Sequence, residues 1–373
     1  MKITIATGLY PPEIGGPATY AAMLESVLPN KGIEVITVPF GSVRHYPKII
    51  RHVVYGWKLW VASRRSDIIY ALDPISVGLP ALIVSKLSRK KFLLRVPGDY
   101  AWEQGQLRFG VKDNFHNFIE QRYSYGSKVS ALCWLESFVA KNAKLVVVPS
   151  EYMKTAVSKW GVDEGHIKVV YSALQPLDVS SSREELRVEF SYSYPTIVSA
   201  GRLIPNKGFL SLIKVFAQIK EIYKDAQLVI VGDGPQQEEL IDYVGELRIV
   251  DSVRFTGSLS KDALGAVIKA GDVFVLNTAH EGLSHQLLEV MDIGTPIVTT
   301  RVGGNTELIT DKVQGYLVEF DNVNEIKEAV IRVLNHPGSH ERITQSARAR
   351  SKQFATDKVV NDLIQIINEI HGK

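Results

Sequence analysis

Two charged segments in the second half of the chain have the residue types of a site for a phosphorylated ligand. The first is the segment 201–208, which follows an apolar run and carries Arg202 and Lys207 between glycines. An arginine offers a planar fork of donors and a lysine offers a mobile point charge, and both suit a diphosphate. A solvated loop with incidental cations would have the same composition, so this segment alone leaves two interpretations open.

The second segment is 281–296, which contains the paired glutamates Glu281 and Glu289. Ser284 is a good N-cap for the helix predicted after it, so the backbone N–H groups of residues 286–288 and the positive end of the helix dipole would face a phosphate. Because a carboxylate accepts two hydrogen bonds at once, Glu281 suits the hydroxyls of an attached sugar and Glu289 suits a ribose diol. The alternative is a helix with two ordinary surface glutamates.

Short strand-like runs alternate with helix-like stretches along the chain and predict what positions these residues. The runs are 2–6, 34–39, 68–71, 92–96, 145–149, 167–170, 196–200, 227–231, 252–256, 273–276 and 296–300. Amphipathic stretches such as 18–28, 210–222 and 326–334 separate them. This alternation predicts an α/β fold with two doubly wound parallel sheets, whose ligands bind at the carboxyl ends of the strands.

The segment 174–193 contains a proline and two serine-rich runs and marks the predicted domain boundary. We expect a first domain over 1–173, a linker over 174–193 and a second domain over 194–355. The segment 356–373 has the apolar periodicity of a terminal helix. Periodicity does not say which domain that helix packs on, and packing back on the first domain is one option.

The bulk composition is that of a globular protein, with 45% hydrophobic and 22% charged residues. The single cysteine, Cys133, cannot form an internal disulfide and fits a reducing compartment. No apolar run approaches the roughly 20 residues of a membrane-spanning helix, and no signal peptide is visible at the first residues. We therefore expect a cytoplasmic protein, either free or at the inner face of a membrane.

The charge is unevenly distributed along the chain. Residues 1–175 hold 22 Lys and Arg against 13 Asp and Glu, whereas the remainder holds 21 against 27. Within the basic half, residues 44–65 hold six Lys and Arg, two His and no acidic residue, with Ile, Val and Trp at helical spacing. A basic amphipathic helix at a membrane surface and an ordinary helix packed on a sheet both fit this pattern. The basic residues are otherwise dispersed and no nucleic-acid motif is present, so we expect no nucleic-acid partner.

Taken together, the two charged segments resemble the retaining glycosyltransferases of family 4, also called glycosyl transferases group 1. The resemblance rests on the Gly-Arg-Leu…Lys-Gly segment 201–208 and on two glutamates separated by seven residues. The segments 11–17, 231–235 and 302–309 also match family motifs, and all of them occur in the family's order between residue 2 and about residue 315. The resemblance implies the GT-B fold, in which two Rossmann-like domains face each other across a cleft.

The same resemblance implies an enzyme that moves a hexose from a UDP- or GDP-linked sugar to a hydroxyl of a glycan or a lipid-linked acceptor. The acceptor would bind the first domain and the nucleotide-sugar the second, with no metal and no other cofactor. Arg202 and Lys207 would neutralise the donor diphosphate, Glu281 would hold the transferred sugar and Glu289 the ribose. The other donor-binding positions that it implies are Gly15, Gly16, Gly232, Gly234, Ser258, Gly282, Leu283, Ser284 and Leu287.

One position departs from the family pattern. Many members carry a histidine in the loop after the fourth strand, whereas this chain has Asp99 there. We therefore predict that Asp99, together with Arg202, Lys207 and Glu281, belongs to the catalytic set and contacts the sugar or the acceptor hydroxyl. The alternative is an aspartate that closes the Pro-Gly-Asp turn at 97–99.

Two other classes of function fit these residues less well. A nucleotide-sugar epimerase would need acid and base residues over the sugar ring, and the segments above do not resemble its pattern. A catalytically inactive relative that binds a glycan or a nucleotide should have lost a phosphate-binding cation or a sugar-holding carboxylate. This chain retains both kinds of residue.

Overall fold

The computed structural model describes residues 1–13 and 15–372, without the side chains of residues 48, 49 and 337–339. Ile14 of the predicted 11–17 motif and Lys373 of the predicted terminal helix lie outside the described residues. The strands are β1 (Lys2–Thr7), β2 (Glu34–Pro39), β3 (Ile68–Ala71), β4 (Lys91–Arg95), β5 (Leu145–Val148), β6 (Ile167–Val169), β7 (Thr196–Ala200), β8 (Gln227–Val231), β9 (Val253–Phe255), β10 (Val273–Leu276), β11 (Ile297–Thr300) and β12 (Tyr316–Val318).

Each of the eleven predicted strands is present to within one residue at either end, so these predictions are confirmed. The strand that sequence reasoning missed is β12, a short run of three residues. Its neighbour β11 supplies the hydrogen bonds that make it a strand.

The helices alternate with the strands. They are α1 (Gly16–Val27), α2 (Lys48–Ser63), α3 (Gly78–Ser88), α4 (Tyr100–Arg108), α5 (Phe115–Glu120), α6 (Ser127–Lys141), α7 (Glu151–Ser158), α8 (Arg183–Phe190), α9 (Phe209–Ile222), α10 (Gln237–Glu246), α11 (Lys261–Ala270), α12 (His285–Ile293), α13 (Asn305–Leu308), α14 (Val323–Asn335), α15 (Pro337–Ser351) and α16 (Thr356–Gly372).

The chain forms two compact units, residues 1–173 with 356–373 and residues 174–355. The first unit has a parallel sheet in the order β2-β1-β3-β4-β5-β6. Helix α16 belongs to this unit, where Val360, Leu363 and Ile367 pack with apolar residues of α1 and the sheet. The ammonium of Lys91 donates to the carbonyl of Ile370 at 2.7 Å near the end of that helix.

The second unit has a parallel sheet in the order β12-β11-β10-β7-β8-β9. The strand order reverses between β7 and β10, because the chain builds outward from β7 to β9 and then returns to the other side of β7. Loops that leave the carboxyl ends of two such neighbouring strands diverge and leave a crevice, which is where ligands bind in this architecture. The segments 201–208 and 277–284 are those two loops.

The segment 174–193, expected as a linker, contains structure of its own and lies in the second unit. Helix α8 begins with a capping box between Ser182 and Glu185. Arg183 and Arg187 of this helix form ion pairs with Asp272, the Arg187 pair at 2.9 Å. Half-buried charges held in this way fix α8 against the start of β10. Among the described residues, no helix is long and apolar enough to cross a membrane.

Candidate active site

The loop after β7 is held in a conformation that needs glycine at both ends. Gly201 has φ 150° and Gly208 has φ 54°, and a short 3-10 turn over Pro205–Lys207 lies between them. A Cβ atom on Gly208 would overlap the side-chain amide of Asn277. Arg202 projects from this loop into solvent, and no ion pair or hydrogen bond of its guanidinium is described within the structure. This cation is therefore available to a ligand.

Lys207 and Glu281 meet as an ion pair, although 74 positions separate them in the chain. Lys207 follows β7 and Glu281 follows the neighbouring strand β10, so the reversal of strand order brings the two loops together. Both side chains are largely shielded from solvent. The structure thus assembles two of the four predicted catalytic residues at the crevice of the second unit.

A histidine beside this pair stays neutral. Burial, reinforced by the positive charge of Lys207, lowers the pKa of His280 to about 3. An imidazole that cannot gain a proton near neutral pH adds no charge to the site. The cations described at this site are therefore those of Arg202 and Lys207.

Asn277 is the residue that joins the two loops, and sequence reasoning missed it. Its buried side-chain amide donates to the carbonyl of Gly208 at 2.9 Å and to the carboxylate of Asp321 at 2.8 Å. The backbone N–H of Ala279 also donates to the carbonyl of Asn206 at 2.8 Å. A polar residue directly after the apolar strand β10 was the available signal. These bonds hold the Lys207 turn against the loop that carries Glu281.

Helix α12 begins as the sequence predicts, with Ser284 as its N-cap. The Ser284 hydroxyl accepts from the backbone N–H of Leu287 at 3.2 Å, and its carbonyl accepts from Leu288 at 3.3 Å. The expectation that the amides of residues 286–288 all face a ligand is therefore wrong for these two. The Leu287 side chain is fully buried as well, so the structure leaves Leu287 no group with which to contact a donor.

The predicted donor-binding residues before α12 lie in a tightly packed loop. Leu283 is buried, and Gly282 is half-buried. The backbone N–H of Gly304 donates to the carbonyl of Glu281 at 2.9 Å, and a Cβ atom on Gly304 would overlap the carbonyl of Gly282. The turn at 302–304 thus packs on the Glu281 loop and fixes its path.

Glu289 is a carboxylate in a poorly solvated place. It lies in the second turn of α12, and burial raises its pKa from 4.5 to about 7, with a small opposing effect of Lys261. No hydrogen bond or ion pair of Glu289 is described within the structure. Desolvation without compensating donors disfavours the charged form, so this carboxylate is poised to accept hydrogen bonds from a ligand.

Gly232 and Gly234 are required by the packing of two loops. Their φ values are 131° and 156°, and Cβ atoms there would overlap the backbone of Gly201 and Leu203. The N–H of Leu203 donates to the carbonyl of Asp233 at 2.8 Å. These glycines bring the turn after β8 against the Arg202 loop.

Ser258 is exposed and donates to the carboxylate of Asp233 at 2.7 Å, so it lies beside that same turn. It follows β9, the next strand after β8 in the sheet. The predicted donor-binding residues Gly232, Gly234 and Ser258 therefore share one edge of the second sheet.

In the first unit, both carboxylate oxygens of Asp99 are bound by other groups of the protein. The residue is 1% exposed and its side chain caps α4, where one oxygen accepts from the N–H of Trp102 at 2.8 Å. The other oxygen pairs with Arg122, whose guanidinium also pairs with Glu136. Glu136 in turn accepts from the N–H of Tyr100 at 2.8 Å. This placement favours the turn-and-cap interpretation of Asp99 over contact with a sugar.

The glycines of the 11–17 motif lie at the start of α1. Gly15 has φ 147° and precedes the helix, which begins at Gly16 with a proline in its first turn. An open helix start after β1 can approach an anion closely. Within the described residues, no group of three or more His, Cys, Asp and Glu has the arrangement of a metal site.

Two parallel six-stranded sheets in tandem, each covered by helices, define the chain as a protein of the GT-B class. The anabaena protein HepE, solved in complex with UDP-glucose, has this fold at a TM-score of 0.79 and 19% identity, over 99% of this chain and 100% of that one.

Residues 182–350 match the family described as glycosyl transferases group 1. An uncharacterised glycosyltransferase of Methanocaldococcus jannaschii is 27% identical over 98% of this chain and 97% of its own length. N-acetyl-alpha-D-glucosaminyl L-malate synthase of Bacillus anthracis is 26% identical over 99% of this chain and 98% of its own. The chain is a glycosyltransferase, and its residues 182–350 carry the match to the glycosyl transferases group 1.

Proposed function

We propose that this enzyme transfers a hexose from a UDP- or GDP-linked sugar to a hydroxyl of a glycan or a lipid-linked acceptor, with retention and without a metal. One observation carries the proposal: the Lys207–Glu281 ion pair lies at the strand-order reversal of the second unit, in the loops that also present Arg202. A diphosphate would find two cations there and its sugar would find a carboxylate. The complex of HepE with UDP-glucose supports a nucleotide-sugar donor.

In this proposal Lys207 and Glu281 form their ion pair only while no donor is bound. The diphosphate replaces Glu281 as the partner of Lys207, and Glu281 then accepts hydrogen bonds from hydroxyls of the sugar. Arg202 binds the same diphosphate in a bidentate manner. Exchange of one anionic partner for another keeps Lys207 paired throughout, which avoids an uncompensated buried charge.

The chemical step breaks the bond between the anomeric carbon and the diphosphate oxygen. The acceptor hydroxyl attacks from the same face, its proton passes to the departing phosphate oxygen, and the configuration is retained. Negative charge develops on the leaving diphosphate, and Arg202 and Lys207 stabilise it there. Two fixed cations supply this stabilisation, so we propose that the reaction needs no divalent metal.

Glu289 completes the donor site in this proposal. Its desolvated carboxylate has a pKa of about 7 and no described partner, so a ribose diol would supply the two hydrogen bonds that the protein does not. We further propose a cytoplasmic enzyme, either free or at the inner face of the membrane. Cys133 is the single cysteine of the chain and a buried free thiol, so the chain has no internal disulfide that would need an oxidising compartment.

The donor can be identified by thermal shift with UDP-, GDP- and ADP-sugars, each with a divalent metal and with a chelator. The right donor should raise the melting temperature as its concentration rises, equivalent to about 2.7 kcal/mol at one hundred times its dissociation constant. The proposal predicts the same shift with the chelator. No shift with any of these sugars would contradict the donor assignment.

Arg202→Ala is the sharpest test of the diphosphate assignment, because the guanidinium makes no described contact whose loss could unfold the protein. Release of nucleoside diphosphate from the identified donor should slow by about a hundredfold, the usual cost of removing one group that stabilises a developing anion. The matched control is Lys214→Ala, which removes an exposed cation of α9 outside the site. Lys207→Ala should slow release as strongly. Normal rates in both site variants would refute the assignment, and donor binding without any turnover in the wild type would indicate an inactive relative.

A further inference from the structure

Helix α2 carries apolar residues on two faces, and one of these faces is exposed to solvent. The inner face packs in the core through Tyr55 and Leu59, which are fully buried. The outer face leaves Val53 69% and Trp57 61% exposed, and its other exposed apolar residues are Ile50, Trp60 and Val61. The apolar pattern of residues 44–65 is therefore only partly explained by packing on the sheet. The side chains of Lys48 and Ile49, which belong to that pattern, lie outside the described residues.

The exposed face continues over two neighbouring helices of the first unit. Helix α3 packs against α2 and also against α6, so it lies between them. Its outer side presents Ile83 and Leu87, the latter 75% exposed. On α6, Trp134 and Phe138 are exposed and stack on each other at 5.3 Å between ring centroids. We call the outer sides of α2, α3 and α6 the three-helix surface.

The three-helix surface is strongly basic. Residues 44–98 contain eleven Lys and Arg but only two acidic residues, Asp67 and Asp73. Of these cations Arg95 is buried and Arg44 pairs with Glu13, whereas Arg64, Arg65, Lys86 and Arg89 are exposed. Asp73 is engaged by the backbone N–H groups of residues 75–77, the closest at 2.6 Å. Arg64 lies over the ring of Trp60 at 4.4 Å, and no ion pair with a carboxylate is described for the cations of α2 and α3. Exposed apolar residues are thus flanked by positive charge that no described carboxylate neutralises.

We propose that the three-helix surface binds an anionic lipid bilayer. Tryptophan and aliphatic side chains insert at the boundary between headgroups and acyl chains, and lysine and arginine bind the anionic headgroups around them. The positive charge of this surface favours a bilayer over a second copy of the chain as the binding partner. A second copy of the chain would bring the same positive charge to the interface, and like charges repel, whereas an anionic bilayer is complementary to both the apolar and the basic parts.

The tryptophans provide a built-in probe of this binding. Of the five tryptophans in the chain, Trp57, Trp60 and Trp134 are exposed on the three-helix surface. The other two are buried, Trp102 at 4% and Trp160 at 2% exposure. Vesicles of phosphatidylcholine with phosphatidylglycerol should shift the emission of the intact protein to shorter wavelength. Brominated acyl chains should quench that emission, and vesicles of phosphatidylcholine alone should do so much less.

Co-sedimentation with the same vesicles tests the apolar part. The double variant Val53→Ser/Trp57→Ser should lower the partition coefficient at least tenfold. Val188→Ser is the control, since Val188 is even more exposed but lies on α8 of the second unit. All of these residues are exposed, so the melting temperature should not change. Binding equal to that of the wild type in the double variant would overturn the proposal.

Charge reversal tests the basic part. Arg64→Glu and Lys86→Glu each remove two units of positive charge and should each lower binding to the anionic vesicles about twentyfold. Lys214→Glu on the second unit is the control and should have no effect. Binding should also weaken at high salt, because salt screens exposed charges.

Two results separate this proposal from its rivals. The first is that the wild type is a dimer in light scattering and does not bind vesicles, while Val53→Ser/Trp57→Ser is a monomer. The surface would then be an interface between copies of the chain, and the proposal would fail. Release of nucleoside diphosphate in vesicle-free solution should be unchanged in all of these variants. Lipid binding and donor chemistry can therefore fail independently of each other.

Discussion

Glu289→Gln should make the ligand-free enzyme more stable at alkaline pH, and the magnitude follows from burial. Because burial raises the pKa of Glu289 from 4.5 to about 7, the folded protein holds this proton more tightly than the unfolded chain does. As pH rises from 4.5 to 7, the unfolded chain releases the proton first, so the free energy of unfolding of the wild type falls. Above the folded pKa the loss is complete, at about 3 kcal/mol.

Glutamine has the same shape and does not titrate, so the variant escapes this loss. The variant should exceed the wild type in stability by about 1 kcal/mol at pH 5 and by about 3 kcal/mol at pH 8. For a domain of 150–250 residues, the larger value corresponds to a rise in melting temperature of about 6 to 12 °C. Urea unfolding and thermal melts at both pH values measure it. The control, Glu238→Gln on the exposed side of α10, should change neither.

The same variant should bind the donor at least tenfold more weakly if Glu289 holds a ribose diol, because an amide offers one acceptor where a carboxylate offers two. The wild-type affinity relative to that of the variant should rise with pH through about 7, as the carboxylate becomes charged. Taking this ratio cancels the titration of the phosphates. An unchanged or lowered stability of Glu289→Gln at pH 8 would refute the desolvation argument. Unchanged donor affinity would refute the ribose contact alone.

Two further substitutions test the remaining structural assignments. Asp99→Asn should lower the free energy of unfolding by about 3 kcal/mol, because it removes one carboxylate from a buried pair with Arg122. A variant as stable as the wild type but impaired in transfer would instead support the hypothesis that Asp99 contacts the sugar. Gly232→Ala should cost about 1–3 kcal/mol and weaken donor binding, since its Cβ atom overlaps the carbonyl of Gly201 in the Arg202 loop. Gly245→Ala, which meets no atom, is its control and should stabilise α10 by about 0.5–1 kcal/mol; equal melting temperatures of the two glycine variants would contradict the packing argument.

Local chemistry made much of the fold predictable. Buried parallel strands are short runs of β-branched and aliphatic residues, so eleven strands could be located from the chain alone. Ser284 was recognisable as an N-cap because capping depends on a side chain and an amide three residues away. Segment 201–208, with its two cations between glycines, was likewise visible as a loop that could meet phosphate. Each of these features depends only on residues that are close to it in the sequence.

What the sequence did not determine depends on distant partners. The pairing of Lys207 with Glu281 follows from the reversal of strand order between β7 and β10, and Asn277 acquires its role only because Gly208 is beside it. Asp99 looked like a cleft residue until its partner Arg122 was placed next to it.

The exposed face of α2 is the clearest feature that the sequence alone could not determine. Helical periodicity showed an apolar pattern over residues 44–65, and both a helix packed on the sheet and a helix at a membrane surface fitted it. A periodicity reports which residues share a face, whereas only the packed structure decides which face meets the core. In this chain Tyr55 and Leu59 fill the core, and Trp57 faces solvent with Val53 beside it on the outer face. The sequence determined the elements and their local chemistry, and the tertiary structure decided which residues meet, because contacts between distant residues depend on how the elements pack.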